Sequence, residues 1–364
     1  MKITIVGAGN AGCAHACKLT ESGHEVTLLK TSTVMHNENF SKILAEGVIR
    51  YYEPHSNIEK IAKPSLITHD FKEALDGAEI VMLMSQTLQH EALAGKIKEH
   101  VTLDTLKGIL VIPGYLGSLY FKDLLDLNAD LIISEGESTP YDARIIKPGV
   151  VQILFQNVRN ALGFYPSNKK VEGLKLFNMV LDNYKFARKN VIESAMHNPN
   201  LIVHTIGAIM SAPRIEHSNG EFWMYKEAFT KSIWNIIEQL DSEKNALIKL
   251  FCGEGSPYIE ECKWRNELDL EQDARTVFEG YAQEGGPKGP ESLDTRFIYE
   301  DVPMGLCLLE DISAKYCLKT PIATSLINLA SALHCIDYRA QARTLNSLSL
   351  DNIELNELRL IING

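Results

Sequence analysis

Met1-Lys-Ile-Thr-Ile-Val-Gly-Ala-Gly-Asn-Ala-Gly12 is the stretch that decides the fold. Ile3 to Val6 is a β-branched run of strand character, and it ends directly in Gly7, Gly9 and Gly12, the G-x-G-x-x-G spacing that carries a chain from a strand into a helix. Each glycine has a mechanical reason. Gly7 lets the chain leave the strand in a tight turn, Gly9 removes the side chain that would block a diphosphate, and Gly12 allows the helix to pack closely on the strand. The helix start then offers N–H groups and a positive dipole end to an anion. Gly7, Ala8, Gly9, Asn10, Ala11 and Gly12 are therefore candidate dinucleotide-binding residues.

The neighbouring sequence supports a βαβ start: Ala14, Ala16, Leu19 and Gly23 continue a helix, and His24 to Leu29 is a second buried strand. A hairpin follows, Gly47 to Glu53 with Lys60 to Lys63, then a strand at Leu66 to His69 and a short helix over Phe71 to Gly77. Ala78 to Met84, Gly108 to Gly114 and Leu131 to Ser134 are further apolar strands, with Ser85 and Gln86 at the end of the first, where its loop crosses a cofactor crevice. Val151 to Phe155, Ala161 to Tyr165 and a helix over Lys170 to Leu181 complete this half. Strands alternating with helices at this spacing predict a Rossmann-type, doubly wound parallel sheet over residues 1–186. After it, long apolar-periodic segments at Ile202 to Met210, Tyr225 to Ile248 and Pro321 to Leu333 predict an all-α domain over 187–364, interrupted by a surface loop from Gly280 to Ser292.

A chain of 364 residues is long enough for two domains with cores of their own, and its 45% hydrophobic and 23% charged content is that of an ordinary globular protein. No segment has the length and apolarity of a membrane span, and the first residues form a core strand; a cytoplasmic protein is expected. The net charge of -11 argues against nucleic-acid and acidic-membrane partners, so an anionic ligand must be drawn by local arginines and helix ends. Seven cysteines with no C-x-x-C read as reduced thiols; Cys13 and Cys17, one helical turn apart, suit apolar packing, and no metal site is expected.

Four clusters carry candidate chemistry. The second strand lacks the terminal acid that binds a ribose 2′-hydroxyl; Lys30, Thr31 and Ser32 stand there instead and suit a 2′-phosphate, which favours NADP(H) over NAD(H). Met196-His-Asn-Pro-Asn-Leu-Ile-Val-His-Thr205 predicts a helix capped at Asn198, with Asn200 and His204 four apart on one face of an apolar helix: a general acid beside an orienting amide, or a core histidine held by a carbonyl. Leu293-Asp-Thr-Arg-Phe-Ile-Tyr-Glu-Asp-Val-Pro-Met-Gly-Leu306 sets Arg296, Glu300 and Asp301 together, so that a carboxylate can fix a histidine's tautomer while the arginine fork binds a substrate carboxylate. Glu137-Ser-Thr-Pro-Tyr-Asp-Ala-Arg144 lies shortly after a strand end and offers Tyr141 and Arg144 to an anion.

Taken together, the glycine-rich turn, Pro140-Tyr-x-x-Arg144, His197-Asn-Pro-Asn-x-x-x-His204 and Arg296-Phe-Ile-Tyr-Glu-Asp301-Val-Pro-x-Gly-Leu306 resemble the octopine/nopaline (opine) dehydrogenase family across both halves. That resemblance implies an NAD(P)-binding domain joined to a helical one. The implied reaction is the reductive condensation of an amino acid's amine with an α-keto acid to an N-(carboxyalkyl) amino acid. It also implies His204 as the catalytic histidine, Asp301 as its partner and Arg296 as a carboxylate anchor, with His197 the alternative histidine and a substrate-side candidate. The partners expected are the two small substrates, with homodimerisation left open. The rival readings are a hydroxyacid or ketopantoate-type reductase using Lys189 as its acid, and a dinucleotide-sensing protein without turnover.

Overall fold

Residues 1–284 and 286–364 are described by the computed structural model, and they divide into two units, Met1–Ala187 and Arg188–Gly364, one residue from the expected boundary. The first unit contains β1 (Lys2–Val6), α1 (Asn10–Glu21), β2 (Glu25–Leu29), α2 (Asn37–Glu46), β3 (Ile49–Tyr52), β4 (Lys60–Ala62), β5 (Leu66–Thr68), α3 (Phe71–Leu75), β6 (Ile80–Leu83), α4 (His90–His100), β7 (Gly108–Val111), β8 (Ile132–Gly136), β9 (Tyr141–Lys147), β10 (Val150–Gln156), β11 (Asn160–Tyr165), α5 (Lys170–Val180) and β12 (Tyr184–Ala187).

Among the described residues the main sheet runs β12-β11-β8-β7-β6-β1-β2-β5. From β5 to β8 every pair is parallel, with Ile3 opposite both Val26 and Ile80. This stretch has the strand order of a dinucleotide-binding sheet, reversing direction between β1 and β6, which places the ligand crevice beyond the C-terminal ends of those strands. The central strands are apolar throughout because both faces are covered: Ile3, Ile5, Val26, Leu28, Ile80 and Met82 feed one core, Val6, Leu29, Val81 and Leu83 the other.

Three sequence expectations change here. The sheet is not wholly parallel, since β11 runs antiparallel to β8. The hairpin of β3 and β4 does form, yet it joins a separate sheet of order β4-β3-β10-β9. Within the candidate segment Glu137 to Arg144, placed only as following a strand end, Tyr141 to Arg144 is the start of a further strand, β9, paired antiparallel to β10 with two register shifts. Its charged residues alternate with apolar ones because only one face of that strand is covered.

The second unit is helical: α6 (Val191–Met196), α7 (Asn200–Met210), α8 (Ala212–His217), α9 (Met224–Glu227), α10 (Lys231–Leu250), α11 (Tyr258–Asn266), α12 (Ala274–Glu284), α13 (Arg296–Tyr299), a π-helical turn Val302–Leu306, α14 (Cys307–Lys315), α15 (Pro321–His334) and α16 (Leu355–Asn363). The single helix expected over Tyr225 to Ile248 is broken between Glu227 and Lys231. The expected loop from Gly280 is helical as far as Glu284; Gly285 lies outside the described residues, and Gly289 is tied by backbone bonds to Phe222 and Met224. Helix α7 is the centre of this unit: Leu201 to Ile209 are all buried. Gly207 makes that packing fit, since a methyl there would fall 2.6 Å from the Met224 sulfur. Among the described residues no helix is long and apolar enough to cross a membrane.

Candidate active site

The glycine turn of the first unit has the shape its sequence requires. Gly7 takes φ +126°, and a methyl on it would lie 2.7 Å from the Met84 carbonyl; one on Gly12 would overlap the Gly7 carbonyl oxygen at 1.8 Å. Gly9 differs, because a methyl there would meet only the His36 ring, at 3.8 Å. Two glycines thus allow the turn to close, and the third leaves open the side a diphosphate needs. No side chain caps α1 at Gly9, so its first N–H groups face that opening. Ala8 is buried and its carbonyl accepts from the Cys13 thiol, while the Asn10 amide oxygen accepts from the Ile145 N–H at 2.8 Å and ties the turn to β9. Ala11 holds the buried His15 ring through its carbonyl. The residues present fit a dinucleotide.

The loop after β2 is closed by its own polar groups. Lys30 is buried and its ammonium donates to the Met35 carbonyl, and the Ser32 hydroxyl accepts from the Val34 and Met35 N–H groups; Thr31 is half-buried beside them. Burial draws the Lys30 ammonium below the usual lysine value. His36, at the left-handed residue before α2, is a neighbour of Gly9 that sequence reasoning missed. Ser85 and Gln86 follow β6 as expected, half-buried at the crevice end of the sheet. Arg144 is half-buried on β9 and donates to the Ala143 carbonyl. Tyr141 is a correction: at 3% exposure it packs edge-on against His15, a core position rather than a substrate contact.

In the second unit, α7 brings His204 to Asp301. The imidazole Nδ1 lies 2.8 Å from the carboxylate, with His204 4% and Asp301 2% exposed. The sequence builds this locally from both sides: the Asn198 side chain accepts from the Asn200 N–H to start α7, and Thr295 caps α13, whose continuation into the π turn lowers Asp301 toward α7. Asn200 is half-buried one helical turn before His204. Arg296 remains exposed, 3.8 Å from the buried Glu300 carboxylate. Between them in sequence, Phe297 stacks on the His204 ring at 3.7 Å. Only its place directly after the arginine could have drawn attention to it.

His197 goes elsewhere. Its Nε2 bonds to the Glu254 carbonyl at 2.9 Å and its Nδ1 faces the Lys244 ammonium at 3.5 Å. Burial, then the charges of Lys244 and Arg188, hold it well below the ordinary histidine value, so it is a neutral core residue and not a substrate contact. The same interior joins Lys244 to Asp241 at 3.0 Å and Arg188 to Glu261. Burial opposes charge on Glu261, but the Arg188 guanidinium beside it outweighs that and holds the carboxyl at about 2. Lys189, the reductase alternative's acid, is half-exposed and paired with Glu254 at 3.0 Å, which raises its pKa.

A glycine turn on a dinucleotide-type sheet, followed by a helical unit carrying a buried histidine–aspartate pair, defines an NAD(P)-dependent oxidoreductase. Residues 187–334 match the family described as NAD/NADP octopine/nopaline dehydrogenase, alpha-helical domain, and residues 3–112 match ketopantoate reductase PanE/ApbA. The chain is 28% identical to an opine dehydrogenase of Arthrobacter sp. (strain 1C), over 98% of this chain and 97% of that one. Its fold is shared with an octopine dehydrogenase solved with NADH and L-arginine (TM-score 0.76, 18% identity, 99% and 98% of the two chains). It is shared also with a yersinopine dehydrogenase solved with NADP+ (TM-score 0.70, 13% identity, 100% and 98%). The helical unit thus matches the octopine/nopaline dehydrogenase family, and the chain is similar to an opine dehydrogenase over nearly its whole length. The ketopantoate reductase match stops within the first unit, so it speaks for the dinucleotide sheet and not for Lys189.

Proposed function

We propose that the protein reductively condenses the amine of an amino acid with an α-keto acid, and oxidises the N-(carboxyalkyl) amino acid in reverse, acting on a CH–NH bond. The carrying observation is the buried His204–Asp301 hydrogen bond within the helical unit that matches the family. NADP(H) is the preferred cofactor in this reading, with NAD(H) the alternative, supported by the lysine and two hydroxyl residues after β2 where an acid would select NAD(H). Gly7, Gly9 and Gly12 cradle the diphosphate, and Ser85 and Gln86 border it.

The amine nitrogen attacks the keto carbon, the carbonyl oxygen leaves as water after taking up protons, and the resulting imine is reduced. The bound dinucleotide supplies the hydride. Asp301 accepts from Nδ1–H of His204, which leaves Nε2 as the atom that exchanges protons with the reacting nitrogen and oxygen. The carboxylate stabilises the imidazolium when that atom is protonated. Arg296, exposed at the start of α13, binds a substrate carboxylate through its fork, Asn200 orients the substrate from the same face of α7 as His204, and Arg144 is a second anion site. The test is a matrix of amino acids against pyruvate and its homologues, followed by NADPH and NADH oxidation. Turnover that needs both an amine and a keto acid supports the reading. Oxidation driven by a keto acid alone, giving a hydroxyacid, overturns it in favour of a reductase.

A further inference from the structure

Gly9 leaves open the side of the turn that a diphosphate needs, and the residue across that opening is a histidine. A methyl built on Gly9 would meet the His36 ring carbon Cδ2 at 3.8 Å and no other atom within 4 Å. An anion lying against Gly9 and the first N–H groups of α1 therefore runs beside this imidazole. His36 is placed there by its backbone. It takes a left-handed φ of +54°, a region that few residues other than glycine adopt and that histidine enters more readily than most. Although it directly precedes α2, its side chain makes no capping bond to that helix. The loop before it is closed by Lys30 and Ser32, so the residue stands on a tied base while remaining open to solvent.

We propose that His36 is a phosphate-contacting residue of the dinucleotide site: it forms the side of the diphosphate cradle opposite Gly9 and donates a ring hydrogen bond to the diphosphate. The proposal rests on the dinucleotide reading of the glycine turn. Partial burial, then the Lys30 ammonium, holds the imidazole below the ordinary histidine value, so the ring is neutral at pH 7 without an anion. Lys30, at the end of the loop's entering strand β2, is the charged group that acts on it. Glu38 stands in the first turn of α2, and α1 carries no charged residue ahead of Lys18, only the Cys13 and Cys17 thiols and the buried, neutral His15. A diphosphate beside the ring opposes the effect of Lys30 and favours the imidazolium. Cofactor binding should then take up a proton, with affinity rising as pH falls through the bound-state value and levelling below the free-state one.

NADH is the probe, because the 2′-phosphate of NADPH titrates in the same range. With the full-length protein its Kd should be at least about fivefold lower at pH 6 than at pH 8, and calorimetry in two buffers of different ionisation heat should show proton uptake near pH 7. His36→Leu should weaken NADH about tenfold at pH 6, flatten the pH dependence and abolish the uptake. His36→Gln keeps an N–H donor without the charge; it should lose the uptake while binding more tightly than His36→Leu, and it carries the test if the leucine variant fails to fold. A proton uptake that persists in the variants, or affinity equal to the parent's, overturns the proposal. So does an equal loss of adenosine affinity in His36→Leu, which would set the ring against the base. A parent that binds neither NADH nor NADPH overturns the dinucleotide reading of the turn itself.

Discussion

His204 and Asp301, 97 positions apart in the chain, meet through a 2.8 Å hydrogen bond with both side chains almost wholly buried. A buried ring with one nitrogen committed to a carboxylate can exchange protons only through the other. Removing either partner should therefore disable the same step.

His204→Ala and Asp301→Asn should each lower turnover by about two to four orders of magnitude with dinucleotide affinity kept. The double variant should be little worse than either single one, because residues acting as a unit are not additive. Steady-state kinetics and cofactor titration on the three variants check this; independent, multiplying losses would show that the two do not act together. His197→Gln should affect stability rather than turnover, since that ring is engaged by Glu254 and Lys244.

Arg296→Ala should raise the Michaelis constant for at least one carboxylate substrate by about tenfold or more, the magnitude of a lost charge-assisted pair, while leaving dinucleotide affinity alone. The guanidinium is exposed and only loosely paired with Glu300 at 3.8 Å, so the protein itself does not satisfy it tightly. Arg296→Lys should restore little, because an ammonium does not reproduce the planar fork. If neither substrate's kinetics respond, the arginine serves only to pair with Glu300.

How much of this was readable beforehand follows the range of the interactions involved. The turn from β1 into α1 was legible because Gly7, Gly9 and Gly12 impose it locally, and β6 to β8 were legible as apolar runs covered on both faces. The second sheet was not, because β10 pairs with β3, about a hundred residues upstream, and nothing local marks that pairing. His204, Asp301 and Arg296 stood out by residue type. His204 was preferred to His197 as the aspartate's partner; what turns His197 away, Lys244 and Glu254, are distant partners no local pattern names. Phe297 was missed because a phenylalanine stacked on a buried histidine is written in the sequence like any core phenylalanine.

The glycine turn separates folding from binding. Gly12→Ala should destabilise the first unit by roughly 3 kcal/mol, the upper range for overpacking, because its methyl would overlap the Gly7 carbonyl. Gly9→Ala should fold normally, its methyl meeting only the His36 ring at 3.8 Å, yet bind NADPH at least about tenfold more weakly. Thermal melts and fluorescence titrations distinguish the two; normal dinucleotide affinity in Gly9→Ala would remove the diphosphate from this turn.

Acid should destabilise both units through buried histidines. Burial holds His15 down to about 4, and burial with Lys244 and Arg188 holds His197 well below its ordinary value. With folded values below the unfolded one of about 6.5, the unfolded chain takes up protons first, so stability is complete above that pH and falls as pH drops toward 4. The slope should reach about 1.4 kcal/mol per pH unit for each histidine, and His15→Leu should remove its share. Urea melts between pH 7.5 and 4.5 check the sign; stability level or rising toward acid would contradict it.

In the proposed reading, cofactor preference turns on Lys30. Its ammonium closes the loop after β2 through the Met35 carbonyl, and Ser32 closes it through two backbone N–H groups, so the lysine both shapes this loop and brings a positive charge to it. Loosening the loop should cost NADPH and NADH alike, whereas losing the charge should cost only the cofactor with a 2′-phosphate. NADPH should therefore bind at least about tenfold more tightly than NADH, and Lys30→Ala should weaken NADPH by roughly tenfold more than it weakens NADH. Fluorescence titration of both cofactors against both proteins yields the four constants needed. Equal losses for the two cofactors would make Lys30 a loop residue only. A parent enzyme that binds NADH as tightly as NADPH would overturn the preference itself.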